Sequence, residues 1–308
     1  MDRLIEKVIK KDNPTCLGLD PNLEFIPCFI KDKAYKEFGK TLEGAAWAIF
    51  EFNKGLIDAL YEHIAVVKLQ SAYYEMYGIP GIIALDKTLK YAKEKGLYVI
   101  FDGKRNDIGT TATAYAKAYI GQTDIDGEKV RAIEADAITV NPYLGSDGIQ
   151  PFVFEANLNK NAIFVLVKTS NKSSGEFQDL VVEDKFVYEI VAEKVAELST
   201  QSIGRYNYSN VGCVVGATYP EQAKRLRQIM PYTYFLVPGY GAQGGKAEDV
   251  AVCFDKNGLG AIVNSSRGIM YAYKKSKFGE EAYQEAAINE VKKMRDEIKQ
   301  ELLRKNTT

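Results

Sequence analysis

Tyr98-Val-Ile-Phe-Asp-Gly-Lys-Arg-Asn-Asp-Ile-Gly-Thr-Thr111 is the stretch on which the fold turns. Tyr98, Val99, Ile100 and Phe101 are aromatic or β-branched, the composition of a short buried strand. The run then becomes charged at Asp102, Lys104 and Asp107. Side chains two apart on a strand share a face, so Asp102 and Lys104 are expected to point the same way, with Gly103 between them. Asn106 or Asp107 stands where it would cap a following helix. Taken locally this is a strand-end salt bridge and a helix cap; its wider meaning depends on whether the pattern repeats.

It does repeat. Short apolar runs occur at 15–20, 65–70, 98–104, 137–142, 163–170, 211–217, 234–240 and 261–267, with helical periodicity between them, for example at 42–61, 82–95, 219–229 and 246–257. Strand and helix alternate with no long polar linker, so one helix-covered parallel sheet is the natural solution. Eight repeats predict closure into a (β/α)8 barrel, as a single domain over residues 1–308. A short amphipathic helix is expected at the N-terminus and a long, one-sidedly charged helix over 279–305. Two stretches interrupt the pattern: 119–131 reads as a loop splitting the helix after the third strand, and 171–184 as a polar loop after the fifth, placed to cover the barrel mouth.

The bulk properties exclude several classes. Of 308 residues, 46% are hydrophobic and 26% charged, and the formal net charge is −1, which gives no basic surface for nucleic acid. Cys16, Cys28, Cys213 and Cys253 form no CxxC or Cys/His pattern, and His63 is the only histidine. Zinc sites, disulfide frameworks and Ser-His or Cys-His nucleophile systems are therefore not expected. The first residues lack the apolar centre of a signal peptide, and no apolar run reaches membrane-spanning length. A cytoplasmic location follows as the default.

Most of the runs end in polar residues: Asp20, Lys68 and Gln70, Asp102 and Lys104, Asn141, Thr169 and Ser170, and Arg267, with Gln243 shortly after the seventh. In a parallel barrel these ends gather where such enzymes keep their active sites. Lys68, inside Val66-Val67-Lys68-Leu69-Gln70, is costly unless paired. Asp102 on the neighbouring strand is the expected partner, and Lys104 would pair Asp107. Two unit charges about 4 Å apart interact by roughly 4 kcal/mol at an effective dielectric near 20, enough for a row of contacts to fix the side chains. Val237-Pro-Gly-Tyr-Gly-Ala-Gln-Gly-Gly245 contains a GxGxxG pattern, but it follows the seventh strand, and no acid ends the next one to hold a ribose. A phosphate-gripping loop, partnered by Arg267-Gly268 after the eighth strand, is the better reading.

Phe101-Asp-Gly-Lys-Arg-Asn-Asp-Ile-Gly109 resembles the signature of the orotidine 5′-phosphate decarboxylases, in their longer bacterial and protozoan branch. Asn106 stands where that branch usually has glycine. The resemblance extends to Leu17-Gly-Leu-Asp20, Lys68, Lys168-Thr-Ser-Asn171, Pro238 through Gln243, and Arg267. It implies a (β/α)8 enzyme that needs no metal or cofactor and converts orotidine 5′-monophosphate (OMP) to uridine 5′-monophosphate (UMP). By the same resemblance, Lys68, Asp102, Lys104 and Asp107 form the catalytic set, with Lys104 the proton donor. Asp20 and Lys68 would bind the ribose, Ser170 or Thr169 the pyrimidine edge, and Pro238, Gln243, Arg267 and Gly268 the phosphate end. Asp107 and Thr111 would reach a neighbouring subunit's site, making a homodimer. Two rivals stay open: a magnesium-dependent sugar-phosphate enzyme of the same superfamily, and a Schiff-base aldolase using Lys68, Lys104 or Lys168.

Overall fold

Residues 1–241, 244–275 and 279–307 are described in the computed structural model of the chain. Eight strands carry the fold: β1 (Thr15–Leu19), β2 (Val66–Gln70), β3 (Tyr98–Arg105), β4 (Ala137–Val140), β5 (Ala162–Lys168), β6 (Val211–Val215), β7 (Phe235–Val237) and β8 (Ala261–Ser265). Their order is that of a closed barrel, β1-β8-β7-β6-β5-β4-β3-β2. Each predicted run overlaps one of them, with the third strand running on to Arg105 and the fifth starting at Ala162. The strands stop short of several runs, most clearly at 234–240 and 261–267, because the polar tails of those runs leave the sheet. The expected terminal helices are Asp2–Lys11, which buries Leu4, Ile5 and Val8, and Tyr283–Thr307.

The chain divides into two compact units. One comprises Lys7–Gly103 and Ser265–Asp296, and the other Met1–Glu6, Lys104–Asn264 and Glu297–Thr308. In the first, β1, β2 and β3 pair in parallel, with Leu17 opposite Val67 and Val67 opposite Val99. Helix Leu42–Leu60 covers these strands with Ala45, Ile49, Phe52, Leu56 and Leu60, a helical stripe of buried side chains. Its N-cap, Thr41, accepts from the Gly44 N–H at 3.1 Å. Buried Asn53 donates to the Tyr74 hydroxyl at 2.9 Å, and that hydroxyl donates to the Leu19 carbonyl at 3.3 Å. The polar atoms in this core thus brace the end of β1.

In the second unit β4 through β8 pair in parallel. The stretch 119–131, expected to be a loop, is instead the end of helix Gly109–Ile120 followed by a hairpin of Thr123–Ile125 with Glu128–Val130. The turn residues Asp126 (φ 51°) and Gly127 (φ 96°) are both left-handed, which is what a two-residue hairpin turn requires and what an Asp-Gly pair supplies. The stretch after β5 is also more ordered than a plain loop. It holds a short helix, Gly175–Gln178, and a small hairpin of Val181–Val182 with Lys185–Phe186. Among the described residues, no helix is long and apolar enough to cross a membrane.

Candidate active site

The first unit contributes an ionic cluster at the ends of its strands. Lys68 Nζ lies 2.8 Å from Asp102 Oδ2 and 3.5 Å from Asp20 Oδ1, with the lysine side chain 5% and the Asp102 side chain 8% exposed. Gln70, directly opposite Asp102 in the strand register, donates to the same Oδ2 at 3.1 Å. The Asp102 carboxylate is therefore held from two sides, by a cation and by an amide. Asp20, just beyond β1, is fixed through its backbone: its carbonyl accepts from the Tyr271 hydroxyl at 3.1 Å, and that hydroxyl accepts from the Asn22 N–H at 2.9 Å. Burial opposes a charge on Lys68, but the Asp102 and Asp20 carboxylates outweigh it and hold the ammonium above its ordinary pKa. Cys16 is pushed up to about 12 by burial, against the pull of Lys68, and stays a thiol.

Arg267 and Gly268 follow β8 at the start of the short helix Arg267–Met270, and Arg267 is exposed. A Cβ at Gly268 would lie 2.8 Å from the Ser265 hydroxyl, so a larger residue there would make that hydroxyl turn away.

In the second unit, Lys104 is exposed and its backbone is left-handed, with φ 46°. Strand alternation therefore breaks at Lys104, and the expectation that it shares a face with Asp102 does not follow from the backbone. A bulky residue in this region is strained, and such outliers collect at functional sites. The Lys104 N–H is anchored by the Thr139 hydroxyl at 2.9 Å.

Two further expectations are corrected here. Among the described residues, the Asp107 carboxylate accepts from the adjacent Ile108 N–H at 2.8 Å rather than from Lys104. The N-cap of helix Gly109–Ile120 is Ile108, with no side-chain cap, so neither Asn106 nor Asp107 takes that role. Asn106 Oδ1 is buried without a partner, and a Cβ at Gly148 would lie 3.2 Å from it. Thr111 is exposed on the first turn of the helix.

Beyond β5 the two pyrimidine candidates separate. The Thr169 hydroxyl is already engaged, donating to Asn171 Oδ1 at 2.6 Å and accepting from Gln178 Nε2 at 2.8 Å. Among the described residues the Ser170 side chain makes no hydrogen bond. Lys168 is fully buried and paired to Asp179 at 2.7 Å. After β7, the Pro238 carbonyl accepts from the Ala217 N–H at 2.8 Å. Gly239, Gly241 and Gly244 have φ of 99°, 69° and 96°, so the glycines are there for conformation as well as close approach. Tyr240 donates to Glu297 at 2.6 Å, tying the loop to the C-terminal helix. Gln243 lies outside the described residues.

Gln70 was expected among the polar strand ends but with no role of its own, and Tyr271 was not expected at the site. Gln70 was detectable from its spacing, two residues beyond Lys68 on the same strand face; Tyr271 has no local signal, since it acts on a turn some 250 residues away.

Comparison with known proteins shows which family the chain is similar to. The family model described as "Orotidine 5'-phosphate decarboxylase / HUMPS family" matches residues 15–282. An orotidine 5'-phosphate decarboxylase from Caldicellulosiruptor bescii is 50% identical over 273 residues, covering 89% of this chain and 90% of the relative. Among solved structures, Leishmania donovani OMP decarboxylase is 33% identical with a TM-score of 0.70, over 96% of this chain and 98% of that one. Leishmania donovani UMP synthase is 34% identical with a TM-score of 0.71; the match covers 96% of this chain but only 56% of that longer protein. The chain belongs to the orotidine 5′-phosphate decarboxylase / HUMPS family.

Proposed function

We propose that this protein decarboxylates orotidine 5′-monophosphate to uridine 5′-monophosphate, as a single (β/α)8 domain over residues 1–308 working in the cytoplasm as a homodimer. The observation that carries the reading is the Asp20–Lys68–Asp102 cluster at the ends of three successive strands, with Lys68 and Asp102 buried and the strained Lys104 two residues further along the third. The chemical obstacle is a carbanion in the plane of the pyrimidine, which no π system delocalises. Fixed charges must therefore stabilise it. The bond from the ring carbon to the carboxylate breaks, CO2 leaves, and the electron pair stays on the carbon. Lys104 Nζ then delivers a proton to that pair and is reprotonated from solvent.

Asp102 sits beside the departing carboxylate in this scheme and holds Lys68, while Gln70 keeps the Asp102 carboxylate in one orientation. Asp20 and Lys68 bind the ribose hydroxyls. Ser170 is favoured over Thr169 for the pyrimidine edge, because the Thr169 hydroxyl is committed. Pro238, Gln243, Arg267 and Gly268 grip the phosphate, and loop 238–247 closes over it, so that remote binding energy helps the chemical step. Asp107 and Thr111 serve the neighbouring subunit's site, which agrees with Asp107 forming no bond to Lys104 in its own chain.

The experiment is the loss of OMP absorbance with excess EDTA present, for the wild type and for Lys104→Ala. Turnover that survives EDTA and vanishes in the variant is expected. Silencing by EDTA would point to a magnesium-dependent relative instead, and a borohydride-trapped adduct to an aldolase. Mixed Lys104→Ala and Asp107→Ala dimers should regain activity by subunit exchange; none, with exchange demonstrated, would place Asp107 in its own subunit's site.

A further inference from the structure

We propose that Lys168, Gln178 and Asp179 are positioning residues that clamp the strand end bearing Ser170 and thereby set recognition of the pyrimidine base. The proposal rests on the reading of Ser170 as the base contact. β5 ends at Lys168, so from Thr169 onward no sheet ladder holds the chain. The short segment that follows takes over. Lys168, with its side chain 0% exposed, reaches Asp179 Oδ1 at 2.7 Å and the Ser174 hydroxyl at 3.3 Å, and its ammonium lies 4.8 Å from the centre of the Tyr219 ring. A fully buried ammonium is tolerated only when paired, so this lysine fastens residues 174–179 to the strand.

The adjacent residue Gln178 clasps Thr169 at two points. Its Oε1 accepts from the Thr169 N–H at 3.0 Å, and its Nε2 donates to the Thr169 hydroxyl at 2.8 Å. From the other side the Gly216 N–H donates to the Lys168 carbonyl at 2.8 Å. A Cβ at Gly216 would lie 2.9 Å from both the Ser170 nitrogen and its Cβ, so β6 packs directly against the serine. Residues 168 and 169 thus spend their polar groups on the clamp, while the Ser170 hydroxyl is left for a ligand. Among the described residues, the Lys168, Gln178 and Asp179 side chains make no hydrogen bond to the loop after β7, so their effect is expected chiefly at the base.

That confinement gives the test. UMP and ribose 5-phosphate, which lacks the base, are titrated calorimetrically into the wild type, Gln178→Ala and Asp179→Asn, alongside OMP turnover. In both variants UMP affinity is expected to fall about tenfold, the scale of one displaced hydrogen bond, with ribose 5-phosphate affinity unchanged. KM for OMP should rise with kcat retained. Equal weakening of both ligands in the two variants would mean a merely structural role, and unchanged UMP affinity would mean that the clamp does not govern Ser170; either overturns the proposal. A wild type that binds ribose 5-phosphate but neither binds UMP nor turns over OMP would overturn the underlying reading, and the clamp with it.

Discussion

Lys68 and Lys168 are both buried at strand ends and both face an aspartate at under 3 Å, yet their partners are mounted differently. Lys68 is met by Asp102 from the adjacent strand, with both side chains sealed from water and a second carboxylate at 3.5 Å. Lys168 is met by Asp179 from a loop-borne segment, and that carboxylate is 36% exposed. A strand holds its charge within a fraction of an ångström; a segment of 3-10 turn and one-turn helix can be drawn away. The first pair suits preorganised electrostatics, and the second suits holding a loop in place.

Removing each lysine should separate the two. Lys68→Met removes a buried ammonium from between Asp102 and Asp20 and is expected to cost about 3–5 kcal/mol, together with at least ~10²-fold in OMP turnover. Lys168→Met leaves a carboxylate that water already reaches, and should cost only about 1–2 kcal/mol. Urea unfolding of the two variants checks both figures, and equal losses would break the distinction. The smallest effect is in pH. Because Lys68 has a folded pKa above its ordinary 10.5, its contribution is complete below 10.5 and is lost as pH rises through the folded value. The stability gap between wild type and Lys68→Met should therefore narrow above 10.5; a gap that widens there would mean the carboxylates do not hold the proton on Lys68.

The same contrast explains what could be read from the sequence. A lysine inside Val66-Val67-Lys68-Leu69 demands a partner, and the neighbouring strand of a parallel barrel supplies Asp102, so that pair was legible from pattern alone. Asp179 was not, because the polar loop 171–184 offers four acids and two hydroxyls and no periodicity to choose among them. Helices with a clear apolar stripe, such as Leu42–Leu60, came through nearly to the residue. The Asp126-Gly127 hairpin was passed over although its turn pair was in plain sight, since the surrounding residues are exposed on both faces and show no alternation. The reading of Asp102 and Lys104 as facing alike assumed extended backbone up to the last residue of the strand, and no side-chain pattern announces a left-handed lysine.

That lysine sets folding and chemistry against each other. With φ at 46°, the backbone at position 104 would be most relaxed as glycine, whereas the proposed proton delivery needs an amine on a long arm. Lys104→Gly should therefore make the protein harder to unfold, by about 1 kcal/mol, while leaving it inert. A screen for thermal robustness alone would select the dead enzyme, and only selection for growth that depends on the product being made would keep the lysine.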